Sequence, residues 1–200
     1  MYLNRLDNYS REALTPEGLC NLIQLEYQPE ILSSCTDIGK YFLLHPYIKE
    51  LPLSVSELTQ LLFSKLDDEL THLFLKETGI VFPCIRKNFH GTVNLQGNCL
   101  DSKVFETVHG THQVIIGLTQ KIRQLLNNYV VKPNWSREWK LCINEMFILE
   151  NKILQWIHVE QNLLYPKVIV RHKKGVHHYS AQQIVQQNKS NQFNSSPNLN

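Results

Sequence analysis

Residues 56–83 read SELTQLLFSKLDDELTHLFLKETGIVFP, and their apolar pattern decides the fold class. Leu58, Leu62, Leu66, Leu70 and Leu73 recur at steps of three and four, which places them on one stripe of an α-helix. Glu77 stands at the end of that stripe, where an apolar residue is expected, so its carboxyl group is predicted to point inward. Ser54 or Ser56 can supply the oxygen that caps the helix start. Gly79 is expected to loosen the helix near Val81-Phe82-Pro83.

The same period extends in both directions. Thr15-Pro16-Glu17 combines a capping oxygen, a proline at the first helical position and an acid at the positive helix end. Leu19, Leu22, Ile23 and Leu25 follow; Pro29, which lacks an N–H donor, is expected to kink or interrupt this helix. Helical spacing resumes from Ile31 to Leu44 and stops at His45-Pro46. Residues 88–101 are rich in Gly and Asn and read as a loop. A third helix carries Val104, Val108, Ile115, Ile122 and Leu125, ends near Asn127-Asn128, and is blocked by Pro133. Asn134 or Ser136 starts a fourth, with Cys142, Phe147, Leu149, Ile153, Leu154 and Ile157 as apolar surface to about Val170. Strand signals are nearly absent. The expectation is an all-α, antiparallel four-helix bundle over residues 1–170. Residues 171–200, dominated by His, Gln, Asn and Ser, bury too little apolar surface to offset their ordering entropy and read as a disordered tail.

Bulk composition narrows the function classes. With 42% hydrophobic and 19% charged residues the chain is ordinary globular material. A net charge of +2 is too small to argue for nucleic acid or a membrane surface. No apolar run approaches the roughly 20 residues that span a bilayer, and no apolar leader is evident, so the expected location is the cytoplasm. Cys20, Cys35, Cys84, Cys99 and Cys142 are scattered with no C-x-x-C spacing, which argues for reduced packing residues rather than disulfides or thiolate zinc. No nucleophile–base set, phosphate-cradling glycine loop or dinucleotide fingerprint occurs.

Chemistry in a bundle sits on Glu and His side chains that project between helices. Two segments qualify: Glu69-Leu-Thr-His72-Leu-Phe-Leu-Lys-Glu77, followed by Phe82-Pro83, and Trp156-Ile-His158-Val-Glu160, followed by Tyr165-Pro166. Each sets an acid five to six residues before an aromatic-Pro pair, which implies a pseudo-symmetric pair of facing acids. The two neighbouring histidines are out of phase. His72 is five residues from Glu77, about 140° off its face, and His158 is about 200° from Glu160. Only a π-bulge, one extra residue in the turn, would bring His72 round.

With these residues in view, the chain resembles the hemerythrin-like domain of the RIC (repair of iron centres) di-iron family over about Thr15 to Val170. The family's fourth helix reads roughly His-x-x-x-Glu-Asn-Asn-x-Leu-Phe-Pro, and Glu160 to Pro166 follows it. Thr111-His112, Ile122-Arg123 and Asn127-Asn128 match further family positions. The resemblance implies two irons bridged by two carboxylates with terminal imidazoles, and a role in iron–sulfur cluster repair under nitrosative or oxidative stress, with iron–sulfur proteins as partners. Carried over by position, Glu77 and Glu160 are the bridging acids and His112 a terminal ligand; His45 is a weaker match to a further family histidine. Three ligand positions depart from the pattern: Gln28, Leu73 and Trp156 stand where histidines are expected. Three readings therefore stay open: a di-iron repair protein, a metal-free interaction or sensory bundle, and a single metal held by Glu77, His112 and Glu160.

Overall fold

A computed structural model describes residues 15–89 and 102–168 of the chain. The expected loop from residue 90 onward, Cys99 and the polar tail 171–200 lie outside the described residues. Among the described residues every regular element is helical, and no helix is long and apolar enough to cross a membrane. Four long helices form a bundle. Helix α1 (residues 16–44) packs against α4 (residues 137–168), and α2 (residues 53–89) packs against α3 (Ser102–Leu125). The core between them includes Leu19, Ile31, Leu70, Phe82, Ile115, Trp139 and Trp156, all fully buried.

Local chemistry sets the helix starts. Thr15 Oγ1 accepts from the Gly18 N–H at 3.1 Å, with Pro16 at the first helical position. Ser136 caps α4 by accepting from the Trp139 N–H at 3.4 Å, while Glu50 accepts from both the Ser136 N–H and its hydroxyl. For α2 the expected serine cap is wrong. The helix begins at Leu53 behind Pro52 with no side-chain cap. Ser56 is instead buried inside the helix and accepts from the Ile48 N–H at 3.3 Å.

The main departure from the sequence expectation is that proline breaks none of these helices. Three contain a stretch of π-helix: Ile23–Tyr27 in α1, Glu77–Val81 in α2 and Val159–Leu164 in α4. Each is closed by an N–H reaching back five residues, from Gln28 to the Ile23 carbonyl, from Phe82 to Glu77 and from Tyr165 to Glu160. A proline follows at once in every case, as Pro29, Pro83 and Pro166. Inside an α-helix a proline ring collides with the carbonyl four residues back and removes a bond, at a cost of about 3 kcal/mol. One extra residue in the preceding turn moves that carbonyl away, so the helix continues through the proline. Helix α2 accordingly runs on through residue 89, past the expected loop boundary at residue 88.

Two face assignments also change. Leu58 is exposed and Leu62 only partly buried, whereas Thr59 and Phe63 face inward with Leu66, Leu70, Leu73 and Phe74. Repeated steps of four overshoot the helical turn by about 40° each, so Leu58 lies about 120° from Leu70 while Thr59 lies about 20° from it. Phe147 and Leu154 of α4 are likewise exposed, about 100° round the helix from the face of Met146, Leu149, Ile153 and Ile157.

Helix α3 ends in a left-handed turn, Asn127, Asn128 and Tyr129 having φ of 49°, 56° and 62°. Asparagine tolerates this region better than other residues with a side chain. Asn128 is exposed, so its substitution reports backbone strain alone. Asn128→Gly is expected to leave stability unchanged or slightly higher, and Asn128→Ala to lower it by about 1 kcal/mol. Equal urea midpoints for the two variants would remove strain as the reason for this pair of asparagines.

Candidate metal centre

The three π stretches act together at one level of the bundle. Gln28 directly follows the first, Glu77 opens the second and Glu160 lies in the third. In an α-helix a residue and its fifth neighbour diverge by about 140°, but across a π turn they return toward one face. Tyr165 thereby reaches Glu160, its hydroxyl donating to Oε2 at 2.9 Å. The paired spacing of acid and aromatic-Pro in the sequence is the trace of this geometry.

Glu77, His112 and Glu160 meet here, each fully buried, with one donor atom from each lying within 4.8 Å of the others. His112 comes from the third turn of α3, well inside the helix. Its Nε2 is 3.0 Å from Glu160 Oε2 but makes no well-aligned hydrogen bond there. Gln28 donates from Nε2 to Glu77 Oε2 at 3.0 Å, and its own carbonyl accepts from the Thr78 hydroxyl at 3.2 Å. After these contacts Glu77 Oε1, Glu160 Oε1 and His112 Nε2 are buried without hydrogen-bond partners. An unsatisfied buried polar atom costs about 1–3 kcal/mol, so three in one place form an unusual cluster for an apolar core.

Electrostatics points the same way. Burial, reinforced by the charge of Glu160 and a direct contact with it, holds the Glu77 carboxyl well above the usual carboxylate range, with Gln28 opposing. A proton retained on Glu77 lets two carboxyl groups face each other without two adjacent negative charges. Burial and the two acids raise the Tyr165 phenol well above its ordinary value, so it remains a donor. The Cys20 thiol, also nearby, is pushed up by burial to about 12 and stays protonated, which removes it as a thiolate ligand.

The other sequence candidates lie elsewhere. His72 is exposed, because the π turn begins at Glu77 and rotates the residues after it rather than those before. His45 sits beyond the last residue of α1, exposed and packed on the Tyr41 ring at 4.5 Å, about 25 Å along the helix from Gln28. His158 is exposed as well. At two expected histidine positions the space holds carbon: Leu73 is buried, and the fully buried Trp156 ring stands edge-to-face with His112 at 5.0 Å and with Phe74 at 4.8 Å. The carbon at these two positions leaves Glu77, His112 and Glu160 as the group, among the described residues, that could hold a metal ion.

Tyr165 and Gln161 are the site residues that sequence reasoning passed over. Tyr165 was visible as half of an aromatic-Pro pair, but its contact with Glu160 requires the π turn. Gln161 brings its amide nitrogen to 3.1 Å from His112 Nδ1 and 3.2 Å from His109 Nδ1, a contact no local pattern announces. The chain matches no protein-family model and no curated protein.

The raised Glu77 gives a signed pH dependence for metal-free protein. Above its ordinary value of 4.5 the unfolded chain releases this proton while the folded chain keeps it. Stability therefore falls as pH rises through that window toward the folded value. Glu77→Gln, which keeps an acceptor for Gln28 and carries no ionisable group, is expected to flatten that loss in chelator-treated samples. Parallel stability–pH curves for the two proteins, measured by urea unfolding, would show that Glu77 holds no extra proton.

Proposed function

We propose that this chain is a hemerythrin-like, antiparallel four-helix bundle related to the RIC proteins, and that it binds a single metal ion through Glu77, His112 and Glu160. The observation that carries this reading is the convergence of three fully buried side chains with ligand atoms from three helices, each of which also leaves a polar atom without a hydrogen-bond partner. A divalent cation would satisfy all three and offset the repulsion between two carboxylates. Iron is the ion the resemblance favours, and a mixed imidazole–carboxylate set accords with it.

Iron held by Glu77, His112 and Glu160 would supply one-electron redox chemistry. The surrounding side chains have separable tasks. Tyr165 and Gln28 each occupy one carboxyl oxygen and so fix which oxygen of Glu160 and Glu77 is free. Trp156, Phe74 and Leu73 line the site with apolar surface and exclude water. In the family setting this would serve iron–sulfur cluster repair or defence in the cytoplasm, with iron–sulfur proteins as clients. A second reading, a metal-free interaction or sensory bundle, is favoured by one specific observation: Trp156 packs the space where a further imidazole would stand.

Metal content separates these readings. Protein made in iron-supplemented cells is expected to carry close to one metal per chain, falling at least tenfold in Glu160→Gln and in His112→Gln. Loading to about a hundred times the dissociation constant should raise unfolding stability by about 2.7 kcal/mol. Absence of metal, with stability indifferent to chelator, would select the metal-free bundle. Two irons per chain with an oxo-bridge absorption band would restore the full di-iron centre.

A further inference from the structure

Gln161 joins the buried cluster to the surface. His109 and His112 lie three residues apart on one face of α3, the first exposed and the second fully buried. The Gln161 amide nitrogen lies between them, 3.2 Å from His109 Nδ1 and 3.1 Å from His112 Nδ1. On its other side the His112 ring presents Nε2 to Glu160 Oε2 at 3.0 Å. A continuous line of polar atoms therefore runs from solvent at His109, through Gln161 and His112, to Glu160.

The chemistry of an amide fixes the protons along that line. An amide nitrogen donates and does not accept, and its two hydrogens can serve two acceptors. Both Nδ1 atoms are then lone-pair acceptors, and each neutral imidazole carries its proton on Nε2. For His112 this is the nitrogen that faces the carboxyl groups, so a proton occupies the position a metal would need. The ring can offer a lone pair at Nε2 only as the other tautomer, with the proton on Nδ1. That proton must be accepted by the group opposite, and the group is again Gln161. A half-turn of its amide presents Oε1, whose two lone pairs can accept from both Nδ1–H groups at once.

We infer that Gln161 is a positioning residue that works as an amide switch: its two orientations select the His112 tautomer that is closed or open to a metal, and the exposed His109 changes tautomer with it. The inference rests on the single-metal reading of the cluster. Each ring stays neutral throughout. When a metal takes the Nε2 lone pair of His112, that nitrogen gives up its proton and Nδ1 gains one. His109 exchanges its own proton between ring nitrogens through solvent.

The test is ring-nitrogen NMR of 15N-labelled, chelator-stripped full-length protein at pH 8, where ordinary imidazoles are neutral, with Zn2+ as a diamagnetic probe. Before zinc, His109 and His112 are both expected as Nε2–H tautomers; at one equivalent of zinc both convert to Nδ1–H, although His109 is not a ligand. Zinc held by other histidines persists in Glu160→Gln, whereas uptake at the cluster is lost. In Gln161→Leu the His109 ring should ignore zinc, and zinc affinity should drop about 10–100-fold. Gln161→Glu, whose carboxylate only accepts, should set both rings to Nδ1–H before any zinc is added and recover the lost affinity. Zinc uptake at the cluster with an unchanged His109 ring overturns the switch and leaves the metal site standing. No uptake at the cluster overturns both.

Discussion

Two carboxyl groups held face to face where water does not reach them are the constraint around which this bundle is arranged. Glu77 and Glu160 come from different helices, and each is fully buried. Charged, they would repel across a short distance in a medium that screens poorly. The neighbouring side chains deal with this cost in parts. Gln28 and Tyr165 each satisfy one oxygen, His112 lies against Glu160, and a proton on Glu77 removes one charge. None of these partners reaches the remaining oxygens, Glu77 Oε1 and Glu160 Oε1, which are buried. Well-packed apolar replacements of such clusters are often no less stable, so stability alone does not account for the two acids.

The backbone is shaped to the same end. In an α-helix Tyr165 would point about 140° away from Glu160, and the wide turn at Val159–Leu164 brings its hydroxyl onto that carboxyl group. Matching wide turns occur at Ile23–Tyr27 and Glu77–Val81. They also accommodate prolines that would otherwise end the helices. The link runs both ways: a proline in a helix makes the preceding i→i+4 bond impossible, and a π turn is a low-energy way to forgo it. Three prolines placed immediately behind three site elements therefore hold the distortion where the site needs it. Long single helices then carry the core on both sides, with no break in the apolar contact that supplies most of their stability.

Much of this was legible in the sequence. Four helices, their approximate limits and the inward direction of Glu77 follow from period and caps, and the three residues that meet in the cluster were among those singled out. What was not legible depends on phase. Counting leucines at steps of four drew the stripe through Leu58 and Leu62, although accumulated rotation turns the inner face to Thr59 and Phe63. Pro29 predicts a kink or interruption because a proline's local rule is known, while the compensating turn before it has no composition of its own. The His72 question shows the same limit. A π bulge was the right device to consider, yet its position, beginning at the acid rather than ahead of it, decides which neighbours rotate. Gln161 was invisible for a different reason, since its partners lie 49 and 52 residues away and only packing brings them together.

Trp156 shapes the surroundings of the buried cluster as much as the polar residues do. An indole is far larger than an imidazole, and here it is fully buried and presents a ring edge-to-face against His112. That contact favours one orientation of the His112 ring, with Nε2 toward Glu160 and Nδ1 toward Gln161. Leu73 and Phe74 complete the apolar wall on the α2 side. The indole that fills the space beside His112 thus also holds that imidazole in one pose, with Nε2 toward Glu160.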